Sequence, residues 1–262
     1  MTDRLTDKSI VITGAGRGIG AGLAHGLAAE GALINVVDRD SAGAHAVADA
    51  IVAQGGRACA AVADVTDRAS VRTAIATAVS EYGRLDVMFN NAGLNIPQPF
   101  LEITEDSWHT VMNVNALGVL IGTQEAATQM IAQGGPGKIV NTASIAGREG
   151  YASFAPYSAS KFAVIAIIQA AARALAAQSI TVNGFSPGVV DTPLWQQLDK
   201  DLVAIGDAEQ PGDAFAAFAS GALVGRAATP ADIVPTAIFL AAPDSDYITG
   251  QVMAVDGGMV LV

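Results

Sequence analysis

Ser9-Ile10-Val11-Ile12-Thr13-Gly14-Ala15-Gly16-Arg17-Gly18-Ile19-Gly20 is the stretch on which the fold turns. Its first four residues are a short apolar run, read as a strand buried on both faces. The glycines follow at once, and residues 21–30 carry the pattern of a helix. Glycine at 14, 18 and 20 lets backbone approach a pyrophosphate, while the helix start offers free N–H groups at the positive end of a dipole. A second strand over 33–37 ends at Asp38. That carboxylate stands 18 residues beyond Gly20, near the spacing at which an acid accepts bonds from the adenosine ribose hydroxyls. It also repels a 2′-phosphate, which favours NAD over NADP. Arg17 and Arg39 are the counterweight, since either can pair with that phosphate.

Working outward, residues 58–63 read as a third strand that ends at Asp64-Val65. A helix over 67–82 follows with Asp67 as its N-cap, then a fourth strand, 85–89, runs into Asn90-Asn91-Ala92-Gly93. Strand and helix in alternation predict an α/β protein: a single-domain Rossmann fold over 1–262, a doubly wound parallel sheet with helices on both faces. Ligands in such a sheet sit at the carboxyl ends of the strands. Gly14, Asp38, Asp64 and Asn91 all fall at such ends. Asp64 is placed either to meet an adenine edge or to cap a helix.

Composition narrows the partners. The chain has 262 residues, 51% of them hydrophobic, enough for one large core. Fourteen basic against 25 acidic residues give a formal charge of −11, a surface that repels nucleic acid and anionic lipid. Any nucleotide must then be held by local backbone dipoles. Cys59 is the single cysteine, so neither an internal disulfide nor a cysteine metal cluster is expected. His25, His45 and His109 show no metal-ligand spacing. Residues 1–7 do not read as a signal peptide, and the apolar helix over 162–177 reads as too short to span a bilayer. The expectation is a cytoplasmic protein.

The second half carries the chemistry. Residues 138–143 read as a fifth strand with Ser144 at its carboxyl end. Tyr157 and Lys161 are four apart, one above the other on a helix. A free phenol has a pKa of about 10, and a neighbouring ammonium is expected to lower it toward a useful acid-base range. Hydroxyl, phenol and cation around one oxygen suit the interconversion of a carbonyl and an alcohol. Residues 105–130 read as one long helix capped by Thr104, with Asn115 in its middle. The helix of Tyr157 continues through 162–168 apolar nearly all round, which calls for cover from its own chain or another subunit. A sixth strand covers 181–185, and beyond it Val190 backbone and the Thr192 hydroxyl are placed to bind a nicotinamide carboxamide. Residues 194–225 read as irregular, and Trp195, Leu198 and Phe215 make the region over about 192–225 a substrate lid. Thr229 caps a helix that begins at Pro230, and residues 252–255 close the sheet.

Together, Thr13-Gly14-x-x-x-Gly18-Ile19-Gly20, Asn90-Asn91-Ala92-Gly93, Asn115-x-x-Gly118, Ser144, Tyr157-x-x-x-Lys161, Pro187-Gly188 and Asp256-Gly257-Gly258 resemble the short-chain dehydrogenase/reductase family over essentially the whole chain. The resemblance implies NAD(P), hydride transfer and a catalytic tetrad of Asn115, Ser144, Tyr157 and Lys161. It implies a break in the helix at Asn115 that holds a water linking Lys161 to solvent. The cofactor contacts would come from Gly14, Arg17, Gly18, Ile19, Gly20, Asp38, Arg39, Asp64, Val65, Asn91, Ala92, Gly93, Tyr157, Lys161, Pro187, Gly188, Val190 and Thr192. A homotetramer is implied as well.

The substrate pocket is expected from Leu94, Ile96, Ser144, Ile145, Phe154, Tyr157 and Trp195. These are mostly apolar with no arginine to clamp a carboxylate, so a small neutral alcohol or ketone fits best. The segments 187–195, 244–251 and 256–260 resemble acetoin reductases (butanediol dehydrogenases) and are similar to bacterial polyol dehydrogenases. Ile145 speaks for a rival, a hydrophobic cyclic or aryl secondary alcohol, because a polar residue there would better serve a diol. An NAD-binding sensor or scaffold without turnover is the reading from another class, and the intact Ser144, Tyr157 and Lys161 argue against it. An acyl-carrier ketoreductase would want NADP and a basic docking patch, which Asp38 and the charge disfavour.

Overall fold

A computed structural model describes residues 4–261. Its strands are β1 (Ser9–Thr13), β2 (Leu33–Asp38), β3 (Arg57–Val62), β4 (Val87–Asn90), β5 (Gly137–Thr142), β6 (Ile180–Pro187) and β7 (Val252–Val255). They form one sheet in the order β3-β2-β1-β4-β5-β6-β7, parallel at every pairing. The order reverses between β1 and β4, and a crevice opens at such a switch point outside the carboxyl ends of the strands.

Helices cover both faces because β1, β4 and the start of β2 are buried on both. On one face α1 (Gly18–Ala29), α2 (Ser41–Ala53) and α9 (Pro230–Ala241) bury Leu23, Leu27, Ile51 and Leu240 against Ile10, Ile12, Ile34 and Phe89. On the other, α3 (Arg68–Tyr82), α5 (Gly118–Gln133) and α6 (Ala155–Leu175) bury Ile75, Met130, Val164 and Ile168 against Val11, Met88, Ile139 and Val182. Each such side chain contributes roughly 1.5–3 kcal/mol by leaving water.

Caps fall where short polar residues precede apolar runs. Asp67 accepts a bond from Ala69 N–H, and Thr104 with Ser107, like Thr229 with Asp232, forms a reciprocal box. The helix expected over 105–130 is in fact two, α4 (Glu105–Met112) and α5, joined through a π-helical turn at Asn113–Leu117. Such a turn inserts a residue into the hydrogen-bond ladder and re-aims its side chains.

Two further expectations are corrected. The region over 194–225 is not irregular: α7 (Pro193–Ala204) and α8 (Asp213–Ala219) occupy much of it. Pro193 starts α7 directly after Thr192, as a proline does at a first helical position, and Leu198 and Leu202 turn inward one helical turn apart. The helix around Tyr157 is also longer than expected, a helical rod over Ala152–Gln178 of 27 residues. On length and composition alone it is long and apolar enough to cross a membrane. Here it lays Val164, Ile168 and Ala172 on the sheet and carries the buried Lys161.

Candidate active site

The crevice is built first by backbone. Gly14 and Gly18 take φ of +63° and +59°, a left-handed conformation costly for any residue with a Cβ. Space forbids a side chain as well: a Cβ on Gly14 would lie 2.7 Å from Ala92 Cα, and one on Gly20 only 2.2 Å from the Gly14 carbonyl. Helix α1 starts here with no capping side chain and no acid in its first turn. Its free N–H groups and dipole end therefore face the crevice, an arrangement that receives a phosphate. At the end of β2, Asp38 Oδ2 accepts from Gly16 N–H at 2.9 Å and Oδ1 from Asp40 N–H at 3.0 Å. The carboxylate is thereby fixed beside the glycine loop.

Around this loop the crevice is lined by every residue assigned to the cofactor from sequence: Gly14, Arg17, Gly18, Ile19, Gly20, Asp38, Arg39, Asp64, Val65, Asn91, Ala92, Gly93, Tyr157, Lys161, Pro187, Gly188, Val190 and Thr192. Asp64 does not cap α3, which Asp67 does. Its Oδ1 instead accepts from Thr66 N–H and Oγ1 at 2.8 and 2.7 Å, and these bonds hold its carboxyl below the usual range. Asn91 ties strand ends together, donating to Thr13 O and Gly14 O and accepting from Thr142 Oγ1. Thr13 Oγ1 in turn accepts from Asn91 and Ala92 N–H at 3.0 and 3.2 Å. Thr13 and Thr142 line the crevice too, and sequence reasoning passed over them as site residues.

The reacting corner lies where β5 meets α6. Ser144 stands two residues past β5 and caps a short 3₁₀ turn, its Oγ accepting from Ala146 N–H at 3.2 Å. Tyr157 and Lys161 face the same crevice. Lys161 is 3% exposed and donates to the Thr142 carbonyl at 2.7 Å, with Nζ 5.6 Å from the centre of the Tyr157 ring. Asn115, in the π turn, clamps the backbone of Leu94: Oδ1 accepts from Leu94 N–H at 2.9 Å and Nδ2 donates to Leu94 O at 2.8 Å. The same Nδ2 donates to Ser160 Oγ, and Ser160 donates to the Tyr157 carbonyl. A chain of hydrogen bonds thus links the π turn, α6 and the crevice lip.

Charge at this corner differs from the expectation. Burial pushes the Tyr157 phenol up, and a hydrogen bond with Ser144 offsets part of that rise. The net direction is up, opposite to the lowering expected from the lysine one turn away. The Lys161 amine is itself taken out of water and brought down to about 8, and one of its donors goes to the Thr142 carbonyl. Low dielectric outweighs the pairing, since both groups lose hydration.

Of the substrate residues, Leu94, Ser144, Tyr157 and Trp195 line the crevice, whereas Ile96, Ile145 and Phe154 do not. Ile145 is buried in the turn that Ser144 caps. Phe154 packs behind the wall with Leu202 and Ala214 and stacks on Phe218 at 5.7 Å. Leu194 and Pro193 take their places.

Residues 8–203 match the short chain dehydrogenase family. The chain belongs to that family. It is an oxidoreductase, and the family binds a nicotinamide cofactor. It is 42% identical over 253 residues to a diacetyl reductase [(S)-acetoin forming] of Staphylococcus epidermidis, covering 97% of this chain and 98% of that one. It is 43% identical over 255 residues to a galactitol 2-dehydrogenase of Agrobacterium fabrum, again covering 97% and 98%. Among solved structures, a short-chain type dehydrogenase/reductase from Mycobacterium marinum superposes with a TM-score of 0.90 at 32% identity, covering 99% of this chain and 98% of that one.

Proposed function

We propose that this chain transfers hydride between NAD(H) and a small neutral secondary alcohol or ketone, a diol or hydroxyketone of the acetoin–butanediol kind or a polyol. The observation that carries the reading is the convergence of Ser144, Tyr157 and Lys161 on a crevice whose other end is the glycine loop. When bound, the nicotinamide supplies the hydride chemistry. Gly14, Gly18 and Gly20 leave room for its pyrophosphate, and Asp38 is set for the adenosine ribose. The fixed Asp38 carboxylate supports NAD over NADP, because a 2′-phosphate would meet its charge. Arg17 and Arg39 line the same crevice and are the groups that NADP would use.

The protein's own part is proton transfer and orientation. Ser144 Oγ and Tyr157 OH hold the substrate oxygen. In reduction Tyr157 gives its proton to that oxygen, and in oxidation it takes the proton back. Burial keeps the phenol protonated through neutral pH, so the reducing direction begins with the proton in place. Lys161 would donate to the nicotinamide ribose hydroxyls. General acid-base help of this kind is worth roughly 10²–10⁴-fold.

Neutral substrates follow from the lining. Its arginines, Arg17 and Arg39, belong to the glycine loop and the end of β2, and the reacting corner offers Leu94, Pro193, Leu194 and Trp195. Ile145, which would serve a diol poorly, is buried in the turn that Ser144 caps and does not line the crevice, and this supports the diol reading. The relatives that reduce diacetyl and oxidise galactitol, as their names state, support the same class. In α6 the stripe Phe162, Ala166 and Ala170, at helical spacing, is exposed and apolar. It supports burial against another copy in a homotetramer, and a cytoplasmic setting fits the acidic surface.

A panel of diacetyl, acetoin, butanediols, polyols and cyclic secondary alcohols with NADH or NAD, followed by NADH absorbance, tests the reading. Turnover highest on hydroxyketones, diols or polyols supports it. Preference for cyclic or aryl alcohols would move the assignment to that class. NADH binding without turnover on any member would leave the sensor.

A further inference from the structure

Asp199 is a buried carboxylate that the reaction does not use. It is 6% exposed, and burying a carboxylate costs free energy unless hydrogen bonds occupy its oxygens. Those bonds come from the backbone across the lid. Asp199 accepts from Gly212 N–H and, at 3.0 Å, from Phe215 N–H. One carboxylate on α7 therefore fixes the beginning of α8.

Trp195 lies one turn before Asp199 on the same helix, so the two share a face. The Trp195 ring lines the crevice beside Leu194. Behind it stand two rings of α8: Phe215, edge-on at 5.9 Å, and Phe218 at 5.3 Å. Phe218 continues the packing to Phe154 and Tyr151, at 5.7 and 5.8 Å, in the turn that leads into Tyr157. Ser153 in that turn also donates to Asp207, just beyond α7. Ring pairs at these separations attract one another beyond their area burial, but only while α8 keeps its position.

We infer that Asp199 is a positioning residue for substrate: by holding α8 it fixes Trp195 as the wall of the alcohol or ketone pocket. The inference rests on reading that end of the crevice as the substrate site. The wall sets how large a substituent the substrate oxygen's carbon can carry, while the glycine loop and Asp38 act apart from it.

The test uses the full-length protein with Trp108→Phe, which leaves Trp195 as the chain's one indole. Asp199→Ala shifts Trp195 emission to the red and opens it to acrylamide quenching. Asp199→Asn keeps one acceptor oxygen and gives an intermediate shift, and it carries the test should the alanine variant not fold. Loss of charge-assisted bonds raises KM for the ketone about tenfold, while NADH Kd stays within about twofold and kcat changes less than KM. In a Trp195→Ala background the same substitution changes KM little, because the coupled partner is gone. Unchanged emission in both variants, or effects of Asp199 and Trp195 that simply add, would overturn the inference. Red-shifted emission with no turnover on any substrate would instead sink the proposed reaction and leave the lid contact standing.

Discussion

The glycine loop after β1 and the start of α7, backed by α8, line the same crevice, yet they are held by different means. The loop is fixed by backbone: glycines that admit no Cβ, a helix start with free N–H groups, and Asp38 bonded to Gly16. The lid is fixed by side chains from distant positions: Asp199 on Gly212 and Phe215, Trp195 between Phe215 and Phe218, Ser153 on Asp207. A backbone cradle suits a ligand that never changes, because every dinucleotide brings the same pyrophosphate. A side-chain wall can be altered residue by residue without touching that cradle. On the proposed reading, the difference separates cofactor binding from substrate choice.

Variants in the two regions are therefore expected to fail differently. The largest effect belongs to the loop. Gly20→Val forces backbone apart where a Cβ would stand 2.2 Å from Gly14 O, and NADH affinity measured by fluorescence titration falls by about a hundredfold or more. Asp38→Ala, next in size, leaves the cradle but removes the charge at the ribose. The ratio of kcat/KM with NADH to that with NADPH drops about tenfold. Phe218→Ala, in the lid, raises KM for the carbonyl substrate by about threefold to tenfold through a loosened Trp195, with NADH Kd unchanged. A loss of NADH affinity from Phe218→Ala would break the comparison.

A separate prediction concerns stability and pH. Lys161 is brought from its ordinary 10.5 down to about 8 in the folded chain. Between those values the unfolded chain binds more protons, so this group makes stability rise with pH. Its penalty is complete below about 8 and relieved by about 10.5. Lys161→Met removes that dependence. Chemical unfolding across this window should show the variant's stability relative to the parent declining as pH rises; a pH-independent difference would mean that Lys161 is better solvated than its burial implies.

Sequence reading reached the loop because its signals are local. Strand, glycines, helix and acid follow one another within thirty residues, and each has a single physical reason to be there. It missed Thr13 and Thr142 as site residues because their roles are bonds between strands that only the sheet order brings together. Ile96, Ile145 and Phe154 are expected in the pocket from sequence but do not line the crevice, although they lie within three residues of Leu94, Ser144 and Tyr157, which do. The fold separates such neighbours, turning Ile145 into a tight turn and Phe154 into the lid's own core. The lid helices were hidden by Gly206 and Pro211-Gly212, which read as loop although they only part α7 from α8. The charge state of Tyr157 was out of reach for a related reason. Spacing puts a lysine one turn away, but only the structure shows that its amine is buried and turned to Thr142.

Tyr157→Phe, assayed in parallel for NADH binding and for diacetyl or acetoin reduction, tests the account most directly. It predicts NADH Kd within about twofold of the parent and turnover lower by roughly 10²–10⁴-fold. Turnover equal to the parent's would contradict it, because the proton would then come from another group.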